Sequence, residues 1–538
     1  MGAITQFGGI FPRTPWHLLP ENAATKAHNV KLRNGKLEPW RETKKLSVAV
    51  PEAKTLVAVG CCMMTWDTCV STTEYLPDYN RLYLTGRVDR PEVAVLDPNC
   101  NPTYFYLGAP EPIAAPRLSF TEATGRDCSA RAYVYTFVNI FGEESAPSTP
   151  SQLVSVRDGD PVVLMGMETP PAGYGVVNMR IYRSSTAYRT GAEKEQDPLT
   201  DYMLVAEIEY TTSFTDALLE KFLGPVLNTR EVRLPPKALR NISHVVGTGA
   251  LVGVTNNQVH FSQNFQPYSW PAEYDMTLNH NIVNMVTIDQ QAIVSTDGYP
   301  YVVSAAPNCE ARKCRAVNEV DIPLPDISCG YANSAIATPF GMVYSSKDGL
   351  VLVSTDAKFQ VITSAWYSTD DWVKIRPDTV RLAYWRGYLI CVTDVVSFML
   401  EIDGNTYQDF KLGAMVTLSD QPVDMWVSTN GELLLLQDQI VSQWNAGSTL
   451  RPYIWESREM HFGGTASPNT AKLKTTGIEF RLLTPVGGLD YTRFIMNDKP
   501  FRLGRLGRHL YYRMGFYGIG VVEHAELGTA NVTINQGK

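Results

Sequence analysis

The sequence predicts an all-β protein assembled from many small antiparallel sheets, and three observations predict it. Gly (39 residues) and Pro (34) are plentiful, and aromatic residues reach 10% with Tyr (27) the most frequent. Turn formers mixed with aromatic and β-branched residues suit short strands. In the second half, strand-like runs recur around tight turn dipeptides. Finally, 538 residues exceed one ordinary core unless a unit repeats, so about two to four domains or a repeat architecture is expected.

The first 22 residues, MGAITQFGGIFPRTPWHLLPEN, have no basic stretch leading into a long apolar run, so no secretion signal is expected. No window approaches the ~18 apolar residues of a membrane span, so no membrane segment is expected either. PENAATKAHN (20–29) reads as a short helical patch. NVKLRNGKLEPW (29–40) reads as a hairpin on Asn34-Gly35, a dipeptide that supplies the φ > 0 positions of a two-residue turn. Such an N-terminal strand pair could complete a ring begun later in the chain, since closure removes exposed sheet edges. TLVAVGCCMMTWDTCVS (55–71), RLYLTGRV (81–88) and PEVAVLD (91–97) make about one further unit of the same material.

Residues 114–225 read as an insertion. YVYTFVNIFGEESAPSTPSQ (133–152) alternates strictly, placing Tyr133, Tyr135 and Phe137 on an inner face and Val134, Thr136 and Val138 on the other. Gly142 makes the turn, and Ser145 to Ser151 form an extended exit in which Pro147 and Pro150 discourage further pairing. PVVLMGMETPP, VNMRIYRSST, YMLVAEIE and TTSFTD follow as short alternating runs, so a small β-sandwich is expected. FTDALLEKFLG (214–224) is the other helix candidate.

From 226 to 451 the hairpins are LVGVTNNQVHFS, AIVSTDGYPYVVS, MVYSSKDGLVLVS, LAYWRGYLICVT and MWVSTNGELLLL. Their landmarks Asn257, Gly298, Gly349, Gly387 and Gly431 are spaced by 41, 51, 38 and 44 residues. A hairpin returning at that period matches the blade of a β-propeller, whose sheets bury their faces against one another. Six or seven blades fit. Residues 452–538, with IEFRLLTPVGG, TRFIMNDKPFRLG, HLYYRMGFYG and TANVTIN, read as a further antiparallel β region. The organisation is therefore 1–113, N-terminal segment and first blades; 114–225, inserted sandwich; 226–451, main blades; 452–538, C-terminal β region.

Function classes are narrowed by charge and by missing motifs. The net charge is −8 with a pI near 5.6, and the densest basic runs, RKCR (312–315) and RLGRLGR (502–508), are short. No basic face of the kind that grips a phosphate backbone is expected. The nine cysteines, Cys61, Cys62, Cys69, Cys100, Cys128, Cys309, Cys314, Cys329 and Cys391, include no C-x-x-C pair. Buried free thiols in a reducing compartment are expected, with Cys309 and Cys314 as one possible clip and no partners nearby to complete a zinc site.

VGTGALVG (246–253) has its third Gly one place late for a dinucleotide fingerprint and precedes a strand, so it reads as a turn. The eight His are scattered; His280 in TLNHNIVN is the most suggestive and reads as a hydrogen-bonded structural group. Asp370 and Asp371 of STDDW, read as strand neighbours, point to opposite faces and cannot serve one bond. STDG and SSKDG only partly match the Asp-containing hairpins of sialidase-type propellers, and DGDP (158–161) lacks the further ligands of an ion loop. No catalytic, cofactor-binding or metal residue is expected, and no cofactor; the chain reads as no enzyme.

The pattern of pieces carries a resemblance. FGGIFPRTPWHLLPENAATKAHNVKLRNGKLEPWRE resembles the start of tail proteins of double-stranded DNA bacteriophages, and LVGVTNNQVHFSQNFQPYSWP (251–271) resembles a blade that they carry. TFVNIFGEESAPS, RIYRSST and TSFTD are similar to fibronectin type III-like modules, with the RIYR-like and YVYTFVN-like strands in reversed order, which implies a permuted sandwich. Over nearly its full length the chain resembles the tail nozzle, or tail tubular protein B, family of short-tailed phages. That resemblance implies a homohexameric ring below a portal-bound adaptor in the virion tail, assembled in the host cytoplasm. DNA would be retained and then ejected through its channel without sequence-specific binding, and tail fibres could attach nearby. The alternative is a virion binding module that recognises a host glycan or anchors tail fibres. A glycan-cleaving propeller ranks last for want of paired carboxylates.

Overall fold

The computed structural model describes residues 2–528 apart from 75–80, 125–127, 185–200, 299, 305–313, 317–333, 405–406, 467, 485–487, 505 and 508. Part of RKCR and of RLGRLGR, the Cys309 and Cys329 positions and TANVTIN therefore lie outside the described residues. The regular structure of the described residues is almost entirely strand, with one short α-helix and a few 3-10 turns. Among these residues no helix is long and apolar enough to cross a membrane.

Six four-stranded antiparallel arrays lie within residues 44–443, the one at 381–418 being part of a larger sheet. Five are simple meanders: 71–74/81–85/92–96/102–106, 240–245/250–255/258–261/276–277, 282–288/291–296/301–304/314–316, 335–338/341–345/350–353/359–361 and 381–385/388–392/397–403/411–418. The sixth takes 424–427/433–437/440–443 and is completed by Lys44–Val48 from the other end of the chain, in register Ile440↔Val48 and Gln443↔Lys44. A two-stranded hairpin, Thr55–Val59 with Cys62–Trp66, stands between the first and last of these sheets in sequence. The material expected to form about one unit thus forms that hairpin and a complete sheet.

All five sequence-read hairpins are present, and their uneven spacing has a structural reason. The turns at Asn257, Gly298 and Gly349 join second and third strands, whereas those at Gly387 and Gly431 join first and second strands. The short interval of 38 residues spans that change of position. The Arg386-Gly387 turn has φ of 49° and 82°, the left-handed pair that matches the twist of the flanking strands. Asn34 and Gly35 are also left-handed (φ 72° and 70°), but they lie in a longer loop, residues 32–37, with a 3-10 turn at Arg33–Gly35, and not in the expected two-residue turn between Val30–Lys31 and Glu38–Pro39. That hairpin does not complete the last of these sheets; the strand after it, Lys44–Val48, pairs there instead.

The first strands of the sheets lie side by side in succession, from 71–74 through 240–245, 282–288, 335–338 and 381–385 to 424–427, which meets the Thr55–Val59 hairpin strand. Hydrogen bonds cross these junctions. Leu56 N–H donates to Asp424 Oδ2 (2.7 Å), His244 N–H to Thr73 Oγ1 (3.0 Å), and Val70 N–H to Thr55 Oγ1 (3.1 Å).

Both ends of the chain share a core. Strand Gly2–Ile4 pairs with Val522–Gly528, and Phe7 meets Trp455 and Phe516 edge-on at 5.0 and 5.8 Å. The segment read as helical at 20–29 is instead a strand, Ala24–His28, antiparallel to Tyr453–Ser457. Its Ala24 and Ala27 are fully buried, and pairing with a distant strand outweighs the mild local preference of Ala and Lys for helix. Through the parallel contact His28↔Thr417, this strand joins the 381–418 sheet to the C-terminal strands, giving one ten-stranded sheet. The leader grouped by sequence with residues up to 113 thus packs with 452–528.

The insertion holds three small sheets: 133–139/176–184/202–209, 117–119/162–165/213–216 and 128–131/154–157. Their side chains pool into one core of Tyr133, Tyr135, Phe137, Val156, Leu164, Met179 and Ile181, which gives the aromatic alternation its inner face. Val134 faces a second cluster with Tyr182 and Tyr202. The second helix candidate is also corrected. Ser213–Asp216 is a strand and Glu220–Phe222 a single 3-10 turn, because the Asp216 carboxylate is held by buried Arg183 (2.7 Å) and Tyr133 (2.9 Å).

The Pro-rich exit pairs more fully than its prolines suggest. The N–H groups of Ser145, Ser148 and Ser151 donate to the carbonyls of Phe137, Tyr135 and Tyr133 (3.0, 2.9 and 2.9 Å). In return each Ser Oγ accepts the N–H of the same strand residue, at 3.0, 3.2 and 2.9 Å. Serine at every third position thus supplies with side chains the acceptors that a β-strand would supply with carbonyls. The strand edge is sealed by a segment too proline-rich to be a strand.

Candidate functional site

The seven first strands border one cavity of about 450 Å³. Among the described residues no Lys, Arg, His or Glu contributes to its wall, and Asp424 is its one carboxylate. Asp424 is buried, and its oxygens accept the N–H groups of Leu56 (2.7 Å) and Met425 (2.9 Å). Several polar side chains of the wall are engaged between strands, while buried Thr72 Oγ1 makes no hydrogen bond. Ser243 Oγ lies 2.7 Å from Thr287 Oγ1, and Asn284 Nδ2 donates to Ser334 Oγ (2.8 Å). Trp426 and Tyr384 add aromatic surface, and burial raises the Tyr384 hydroxyl above its ordinary pKa. The cavity can hold water or a small neutral polar molecule. Tyr384 is the titratable group that the described lining offers beside Asp424.

A denser polar cluster fixes the insertion to the 71–106 sheet. Asn139 Oδ1 accepts the N–H groups of Phe141 (2.9 Å) and Glu143 (3.0 Å), and its Nδ2 donates to Glu143 Oε2 (2.8 Å). Arg81 from the sheet lies 3.5 Å from Glu143 and stacks on Phe141 at 4.1 Å. Burial pushes the Glu143 carboxyl up, opposed by the Asn139 hydrogen bond and by Arg81. The neighbouring Glu144 accepts from Thr136 and Tyr182 (both 2.7 Å) and from Arg180 (2.5 Å). The acids of FGEES are therefore a buried joint. Phe105 against Phe141 (5.6 Å) and Tyr106 against Tyr174 (5.2 Å) complete it with aromatic contacts.

The remaining sequence candidates are dispersed. VGTGALVG turns at Gly247 and Gly249 and enters the Ala250–Thr255 strand, as a turn should. His280 sits 3.8 Å from Asp297 and directly against Gly298, where an added Cβ would lie 2.4 Å from its ring. The two acids of STDDW lie on the α-helix Thr369–Lys374 and not on a strand. Ser368 caps that helix, accepting Asp371 N–H (3.2 Å), and buried Trp372 donates to Ser346 C=O (2.8 Å). In DGDP, Asp158 accepts from Arg131 (2.9 Å) and from Glu220 N–H (3.0 Å), which makes it a structural anchor.

Two arrangements were not legible in sequence. His260 Nε2 lies 2.8 Å from Thr255 Oγ1 and its Nδ1 2.8 Å from Asp275 Oδ1, although Nδ1 makes no well-aligned hydrogen bond. This line of hydroxyl, imidazole and carboxylate is buried at His260 and lies outside the wall of that cavity; it ties a hairpin to the 272–274 turn. Cys62 and Cys100 form a disulfide, against the expectation of free thiols, because the chain returns 38 residues later to the same hairpin end. Cys61, Cys128 and Cys391 are free, and burial raises the Cys391 thiol well above its ordinary pKa.

No protein-family model matches the chain, and no curated protein matches it. Among solved structures it is similar to Hsv2 from Kluyvelomyces marxianus, at 10% identity and a TM-score of 0.26 over 64% of this chain and 96% of that one. It is similar also to the N-terminal domain of Nup159 (8% identity, TM-score 0.25, 52% of this chain and 79% of that one). A glycoside hydrolase family 43 arabinoxylan arabinofuranohydrolase from Bacillus subtilis aligns over 79% of this chain and 96% of its own, at 10% identity and a TM-score of 0.17. Likenesses at these scores carry no argument about what the chain does.

Proposed function

We propose that this chain is a structural, non-catalytic component of a bacteriophage tail, a nozzle subunit that assembles into a homohexameric ring through which DNA is retained and then ejected. In this reading the six four-stranded sheets and the 55–66 hairpin are a seven-unit propeller, and residues 114–225 are a permuted sandwich that projects from it. The observation that carries the non-catalytic part is the axial wall, where Ser243 and Thr287 bond to each other across two sheets and the Asp424 carboxylate accepts backbone amides. The tail assignment rests on the sequence resemblance of the leader, the 251–271 blade and the insertion. A cavity of about 450 Å³ is far too small for duplex DNA, so the conduit belongs on the axis between copies. A net charge of −8 suits a sleeve that does not hold phosphate.

Negative-stain imaging of the purified full chain tests the reading. Six-fold rings, or co-purification with a portal–adaptor complex, are expected, with a channel-facing side that is neutral or acidic. A monomer that binds cell-surface polysaccharide, or a channel lined mainly by Lys and Arg, would overturn it. Exposed apolar side chains on the insertion, Phe222 (62%) and Leu153 (55%) among them, favour a second role for that unit in anchoring tail fibres or a neighbouring subunit. Turnover of polysaccharide by the purified chain would replace both readings with an enzyme.

A further inference from the structure

Three sulfurs meet at one end of the 55–66 hairpin. Val59 pairs with Cys62, so Gly60 and Cys61 form the turn, with Gly60 at φ 57°. Strand alternation would send the side chains of adjacent residues to opposite faces. Cys61 belongs to the turn, and that alternation does not bind it. Its sulfur lies in the same cluster as those of Cys62 and Cys100, all within 4.8 Å of one another. Cys62 and Cys100 are bonded, Cys61 is free and exposed, and Cys62 is buried. Cys100 is held for its role by a tight local turn. Its N–H donates to Asp97 C=O (2.9 Å), and Asp97 Oδ1 accepts the N–H groups of Asn99 (2.8 Å) and Asn101 (2.7 Å).

We propose that Cys61, Cys62 and Cys100 form a thiol–disulfide exchange centre, with Cys61 as its surface thiol. A thiolate exchanges with a disulfide by attacking one sulfur and expelling the other. Cys61 gives its proton to water and its thiolate attacks Cys100 Sγ. The Cys61–Cys100 bond forms, the Cys62–Cys100 bond breaks, and the Cys62 thiolate takes a proton from water. One disulfide and one thiol stand on each side, so no external oxidant or reductant is consumed. Attack on Cys62 Sγ would instead link sequence neighbours, leaving Cys100 as the better target. The outcome moves the free thiol from an exposed turn to a buried strand position. In one isomer the surface offers a thiol to a disulfide of a small molecule or of another chain; in the other it is withdrawn.

The test uses the full chain in a glutathione redox buffer at about pH 8, near the pKa of an ordinary thiol, followed by acid quench, alkylation and mapping of linked peptides by mass spectrometry. Wild type is expected to contain both the Cys62–Cys100 and the Cys61–Cys100 linkage. In Cys62→Ser, Cys100 is expected to be rescued by a bond to Cys61. In Cys61→Ser the Cys62–Cys100 bond is expected to remain while reaction of the folded protein's surface with a thiol reagent falls. Alkylation of both Cys61 and Cys100 in folded Cys62→Ser, under conditions that oxidise wild type, would overturn the proposal. If Cys62→Ser does not fold, wild type decides: Cys62–Cys100 alone at equilibrium, or no bond at all, overturns it.

Discussion

Replacing Ser148 by Ala isolates one rung of the serine-sealed edge. Ser148 is 3% exposed and Tyr135 fully buried. The substitution keeps the Ser148 N–H bond to Tyr135 C=O (2.9 Å) and removes the Oγ that accepts Tyr135 N–H at 3.2 Å and donates to Thr149 C=O at 3.1 Å. A buried amide left without an acceptor costs about 1–3 kcal/mol. With a urea dependence of about 2 kcal/mol per M, the unfolding midpoint should fall by roughly 0.5–1.5 M. The assay is urea denaturation of the full chain followed by amide exchange at Tyr135, whose protection should drop with the midpoint. Thr149→Ala is the control. Its hydroxyl reaches only Ile113 C=O at an exposed position (2.8 Å), and its effect should stay within ~0.5 kcal/mol. If Ser148→Ala melts with the control and Tyr135 stays protected, the hydroxyls are not what satisfies this edge.

Asp216→Asn weakens a buried ion pair with Arg183 and should cost about 3–5 kcal/mol, seen as proteolysis confined to residues 114–225. Asp424→Ala strips the acceptor from Leu56 N–H and should lose about 1–3 kcal/mol, with faster amide exchange at Leu56. Glu143 carries a carboxyl whose pKa burial raises on folding, so the native state binds more protons than the unfolded state between the two values. Stability therefore rises as pH falls through the raised native value and levels off below the ordinary one. Glu143→Gln should flatten that part of a stability–pH profile, and an unchanged profile would mean that Glu143 is not buried as described.

The turns were legible in sequence because their determinants are local. Arg386-Gly387 and Asn34-Gly35 announce left-handed pairs, and the alternation of Tyr133, Tyr135 and Phe137 announces a one-sided core. What depends on distant partners was hidden. Ala24–His28 is a strand only because Tyr453–Ser457 lies beside it, and nothing local tells which strand of a sheet a hairpin supplies. STDDW carries a local cap at Ser368, but the helix that it starts is only six residues long, too short to show a helical period. The Thr255–His260–Asp275 line and the Cys62–Cys100 bond join positions whose spacing matches no motif. The serine rail was half visible: its prolines told that no ordinary strand follows, while its three-residue serine period went unread.

The pairing of Lys44–Val48 with Ile440–Gln443 also sets a timetable. The two strands are about 400 residues apart, and a ribosome adding about 5–20 residues per second needs roughly 20–80 s to cover that distance. For that interval the early strand must wait with its backbone unpaired, beside sheets that already have all four strands. Whatever occupies it meanwhile, a chaperone or a stray edge from a second nascent chain, decides whether the subunit emerges singly or entangled with its neighbour.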